Sequence, residues 1–107
     1  MVMETYREPL TPDLARAGRA LTQVSVDAIA QASSLEIQQV RDFEHRGLAL
    51  QAEANDKLRA ALEEFGVVFF AEDSDGGYGV RRKYNAAKIR QLQRWEGEGG
   101  PAYEDDI

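Results

Sequence analysis

Apolar positions recur at helical spacing through the first two thirds of the chain, then switch period. Leu14, Ala17, Gly18 and Leu21 follow Thr11-Pro12, a capping residue with proline at the first helical position, and predict a helix running to about Gln23. Ser25 caps a second helix through Ala28, Ile29, Ala30 and Ala32, whose small residues let another helix approach closely, and Ser33-Ser34 ends it. A third helix is predicted from about Glu36 to His45, with Leu35, Val40 and Phe43 inward and Gly47 as a left-handed stop. In "DKLRAALEEFG" the residues Leu58, Ala61, Leu62 and Phe65 form a fourth apolar stripe closed by Gly66.

Beyond Gly66 the chain is β-branched and aromatic in "VVFFA", carries turn chemistry in "EDSDGG", and can return as a strand in "YGVRRKY". This predicts a β-hairpin, which must pack on the helices or pair with a second chain because a lone ribbon is marginally stable. "NAAKIRQLQRW" resumes helical spacing with Ile89, Leu92 and Trp95. The expected fold is mainly α: a compact bundle of four to five short helices containing a helix-turn-helix, followed by a β-hairpin and a C-terminal helix. Residues 1–9 are expected to be a flexible arm, 10–66 the helix-turn-helix domain, 67–95 the hairpin and terminal helix, and 96–107 a disordered acidic tail.

Composition narrows the function. A chain of 107 residues has room for one core. Hydrophobic residues make up 43% and charged residues 30%, with no apolar run of membrane-spanning length and no basic-then-apolar leader, so a cytoplasmic protein without a membrane partner is expected. The net charge of −6 argues against nonspecific coating of nucleic acid. Five of the 19 acids, Glu96, Glu98, Glu104, Asp105 and Asp106, lie in the final segment; the rest of the chain has 14 acids against 13 bases and is close to neutral. With no cysteine and one histidine, neither a disulfide framework nor a zinc site is expected, and no cofactor is. Glu63-Glu64 and Glu72-Asp73 read as solvated charges, and Gly76, Gly77 and Gly79 belong to a hairpin turn, so no enzyme is expected.

Two short helices joined tightly, small residues in the first and Leu35, Val40 and Phe43 inward in the second, suit a helix-turn-helix that turns its outer face to a DNA major groove. That face carries Glu36, Ile37, Gln38, Gln39, Arg41, His45 and Arg46. Gln38 and Arg41 stand at i, i+3, where glutamine can pair with adenine and arginine can chelate guanine. The same residues also suit an ordinary solvated helix face, and Arg81, Arg82 and Lys83 suit either phosphate contact or the protection of a sheet edge. Phe69, Phe70, Ile89, Leu92 and Trp95 are expected to serve self-association or a partner.

The segments "LTPDLARAGRAL", "IAQASSLEIQQVRDFE", "LRAALEEFGVVFF" and "DSDGGYGVRRK" together resemble the small phage-repressor-like (XRE) regulators, in the subgroup with a hairpin after the helical domain. The resemblance implies a transcriptional regulator that binds double-stranded DNA as a homodimer, with Ser25 at the start of the second helix among its DNA contacts. Ser34-Leu35-Glu36 stands where the family has Gly-Val-Ser, and Val26 where it has a phosphate-contacting glutamine. These departures favour an alternative: a helix-turn-helix scaffold used for protein interaction with RNA polymerase, another regulator or a toxin.

Overall fold

The computed structural model describes residues 4–84, with helices α1 (Pro12–Thr22), α2 (Val26–Ser33), α3 (Ile37–Arg46) and α4 (Ala52–Glu64), followed by strands β1 (Val67–Phe70) and β2 (Gly79–Arg82). The mainly helical architecture with an antiparallel hairpin is as expected from the sequence. Residues 85–107, which hold the expected terminal helix with Ile89, Leu92 and Trp95 and the acidic tail, lie outside the described residues.

Local chemistry explains the helix ends. Thr11 is extended and its hydroxyl accepts from the Leu14 amide, while Pro12 occupies the first turn, where no amide donor is needed. Ser25 caps α2 in the same way, accepting from Ala28 N at 3.0 Å. Gly47 closes α3 at φ 68°. The fourth helix, which carries the expected Leu58, Ala61 and Leu62 on its buried side, begins at Ala52. Its first buried residue is polar: Asn55 Oδ1 accepts from Leu10 N at 2.8 Å and Asn55 Nδ2 donates to Leu10 O at 3.0 Å. An apolar pattern cannot reveal such a clamp. Phe65, expected in the buried stripe, is instead the C-cap and 44% exposed, because the chain turns at Gly66 (φ 111°) and Val67 takes the inward place.

The core joins all four helices to β1: Leu14 and Ala15 from α1, Ile29 from α2, Val40 and Phe43 from α3, Leu58 and Leu62 from α4, with Val67 and Phe69. Each fully buried aliphatic side chain contributes about 1.5–3 kcal/mol relative to exposure. Gly18 faces Leu62 and Phe69 across the layers, where a Cβ would make ordinary contacts of 3.4 Å with Leu62 Cδ2 and 3.6 Å with Phe69 Cζ. Inside this apolar frame sits one carboxylate, Glu44, only 1% exposed. Arg19 from α1 holds it with Nε to Oε2 at 2.9 Å and Nη2 to Oε1 at 2.8 Å, and Arg16 donates to the Glu44 carbonyl. The same bonds keep the Arg19 guanidinium charged beyond its usual range.

The hairpin pairs Val67 with Arg82, Phe69 with Val80 and Phe70 with Gly79. It packs on α1 and α4, one of the two covers expected for it. Gly79 lets the Phe70 ring lie over it, as a Cβ would fall 2.5 Å from Phe70 Cζ and push the ring aside. The opposite side of β1 is taken by the chain's own start: Tyr6 N donates to Phe69 O at 3.1 Å and Ala71 N donates to Glu4 O at 2.9 Å. The segment expected to be a flexible arm is therefore docked from Glu4 onward. Tyr6 anchors it, 6% exposed, with its ring edge-on to Tyr78 at 5.3 Å and its hydroxyl donating to Pro9 O. Tyr78 in turn donates to Asp13 Oδ2 at 3.0 Å, tying the hairpin to the first turn of α1.

Candidate nucleic-acid interface

α2 and α3 are joined by three residues, Ser34, Leu35 and Glu36. Ser34 adopts the left-handed conformation (φ 62°, ψ 33°), and the Leu35 amide donates back to Ala30 O at 2.9 Å, so α2 stops abruptly and the chain reverses. Leu35 packs against the core. Glu36 and Gln39 form a capping box in which Gln39 Oε1 accepts from Glu36 N at 3.0 Å. This turn sets the direction in which α3 leaves.

The inner face of α3 is Val40, Phe43 and Glu44, seated on α1 and α2. One outward surface is left, carrying Ile37, Gln38, Gln39, Arg41, His45 and Arg46, all exposed. Ile37 is 38% exposed at the first helical position, where an apolar side chain would ordinarily be covered. Arg41 makes no side-chain hydrogen bond to another described residue. Gln38, by contrast, donates through Nε2 to Asp42 Oδ1 at 2.9 Å, and Arg46 Nη1 lies 3.5 Å from the same oxygen. His45 Nε2 is 3.8 Å from Glu44 Oε1. The Ser25 hydroxyl spends a lone pair on its cap and keeps its proton for another acceptor.

Carboxylates enter this surface from three places. Asp27 and Glu36 flank the groove between α2 and the start of α3, which is also lined by Ala30, Gln31, Leu35, Ile37 and Arg41. Asp42 lies further along α3. It was not among the residues singled out from the sequence, although its place four residues after Gln38 and four before Arg46 is the spacing at which helical side chains meet. Glu44 went unremarked for a different reason, since its partner Arg19 lies 25 residues away.

Of the residues assigned to self-association, Phe69 and Phe70 are among the described residues. Phe69 is 3% exposed in the protomer's own core and has no surface to offer a second chain. Phe70 is half-buried with its ring over Gly79. Arg81 and Arg82 are exposed on β2, which packs on α1, and Lys83 follows them; α3 is held by α1 and α2. Among the described residues no helix is long and apolar enough to cross a membrane. No family model matches the chain, and no curated protein matches it in sequence.

Proposed function

We propose that this protein is a sequence-specific DNA-binding transcriptional regulator that inserts α3 into the major groove and acts as a homodimer. The observation that carries the reading is the two-faced α3. A three-residue turn and the bond from part-buried Arg19 to buried Glu44 hold its inner side, while Ile37, Gln38 and Arg41 are exposed on the outer side. A helix of this size fits a groove roughly 12 Å wide. The three outward side chains match three kinds of base edge: isoleucine for the thymine methyl, glutamine for adenine and arginine for guanine. Ser25, at the start of α2, has a hydroxyl proton available for a phosphate. Titration of a fragment of the protein's own promoter, against a scrambled duplex and at two salt concentrations, tests it. Tighter binding to the promoter, weakening as salt rises, is expected; equal affinity for both duplexes overturns sequence-specific recognition.

A second reading is favoured by the carboxylates Asp27 and Glu36, which line one groove with the exposed Ile37. In that reading the same face docks a protein, such as a polymerase subunit, another regulator or a toxin. An Ile37→Asp variant that loses a protein complex, in a chain that binds no duplex, would select it.

A further inference from the structure

Asp42 is the one residue of the α3 surface that touches two of the side chains assigned to DNA. We infer that Asp42 is a positioning residue that sets the base preference of Gln38, an inference that rests on the DNA-binding reading. A free glutamine side chain on a helix surface rotates among rotamers and can present its amide in either sense. Here the sense is decided by chemistry: a carboxylate only accepts, so the group facing Asp42 Oδ1 at 2.9 Å must be the Gln38 NH₂. One N–H is spent on Asp42. What remains is the second N–H together with Oε1, the adjacent donor and acceptor that complement adenine N7 and its N6 amino group. The bond therefore selects the presentation that reads adenine and removes ordering cost from the moment of binding.

The negative charge acts in the same direction. Guanine offers only acceptors, N7 and O6, on its major-groove edge, and a carboxylate beside Gln38 repels them. Asp42 also holds Arg46 loosely, at 3.5 Å, and so competes with phosphates for that guanidinium. Specificity is thereby gained at the expense of affinity for arbitrary duplex.

The experiment selects binding duplexes for the wild-type protein from a randomised pool, then measures affinity for the best duplex and for each single-base replacement of it. Asp42→Ala and Asp42→Asn are measured with the same set, and circular dichroism and melting check that both keep the fold. Asp42→Ala should lower the preference for adenine at one position by about tenfold, with other positions unchanged. Asp42→Asn, whose amide can meet Gln38 as acceptor or as donor and so no longer fixes its sense, should lose part of that preference. Both should bind scrambled duplex severalfold tighter, because a charge facing phosphates is gone. In a Gln38→Ala background, Asp42→Ala should not alter preference at that position. An Asp42→Ala protein with the wild-type preference, or one whose effect persists without Gln38, overturns the positioning role alone. Unchanged binding of Asp42→Asn to scrambled duplex removes the charge argument. A wild-type protein that enriches no sequence overturns the DNA reading, and this inference with it.

Discussion

Arg19 grips Glu44 with two parallel bonds of 2.9 and 2.8 Å, so the orientation of α3 is set from α1 by a charge pair at the bottom of its inner face. Such a pair costs desolvation, and its removal as a unit differs from its disruption by halves. Arg19→Met should destabilise the fold by about 3–5 kcal/mol, because Glu44 is left charged and without its partner in an apolar surround. The double variant Arg19→Met with Glu44→Leu should recover most of that loss. Denaturant titration decides it: equal stability of the single and double variants would mean that Glu44 is not the seat of the penalty.

The turn between α2 and α3 carries a conformational strain that one substitution relieves. Ser34 sits at φ 62°, where a Cβ meets the following carbonyl at a cost of roughly 1–2 kcal/mol, and glycine gives back part of the gain as unfolded-chain entropy. Ser34→Gly should raise the denaturation midpoint by the equivalent of about 0.5–1 kcal/mol with an unchanged slope. An unmoved midpoint would show that the turn accommodates serine without strain.

Acid stability should reflect Asp13. The Thr11 hydroxyl, followed by the Tyr78 hydroxyl and the Leu14 amide, holds its carboxyl below the usual 3.8. A depressed folded value means that the carboxylate stabilises the fold fully above pH 3.8 and that this contribution fades as the pH falls through the lowered value. Asp13→Asn should accordingly melt below the wild type at neutral pH, with the gap closing in acid. Tyr78→Phe should show a smaller gap with the same trend. A gap independent of pH would assign the difference to packing instead of charge.

On the face proposed for recognition, Arg41→Ala should leave the melting temperature unchanged, since the residue is exposed and outside the core. Its effect should be a loss of about 1–3 kcal/mol at one base pair, with relaxed preference there. Glu36→Gln removes a charge beside the groove and should tighten binding while weakening discrimination. Replacing either residue with no change in the binding profile would move the interface away from α3.

Two half-sites about one helical turn apart need protomers in a fixed two-fold relation. Phe69 is buried within the protomer and Phe70 is half-buried, so the proposed self-association is tested on Ile89, Leu92 and Trp95. Removal of Tyr84 to Ile107, or Leu92→Ala with Trp95→Ala, should shift the protein to monomer in light scattering. It should also weaken binding to a double half-site far more than to a single one. A full-length protein that is already monomeric well above its DNA-binding concentration would refute the dimer.

Helix ends were legible in the sequence where one residue type does a local job, as at Thr11-Pro12, Ser25 and Gly47. The inward set Val40 and Phe43 was legible for the same reason, through its period, and it implied the outward face that includes Gln38 and Arg41. What stayed hidden depends on contacts distant in sequence. The tie between α4 and the segment before α1 depends on Asn55 reaching Leu10, the seating of α3 on Glu44 reaching Arg19, and the docking of residues 4–6 on a ladder to Phe69 and Ala71. None of these has a local signature, because polar residues in a helix and a short stretch before a proline read as solvent-facing.

That ladder closes the polypeptide on itself, since the backbone around Thr5 is bonded to the backbone around Phe70 and everything between them is a loop. Trimming the protein at the natural-looking boundary before Leu10 would cut this closure without touching a single helix. The Phe69 carbonyl and the Ala71 amide would then face water beside an aromatic strand, a template to which other chains can add. A minimal helical fragment prepared in this way should aggregate, and its insolubility would come from the sheet it had been designed to ignore.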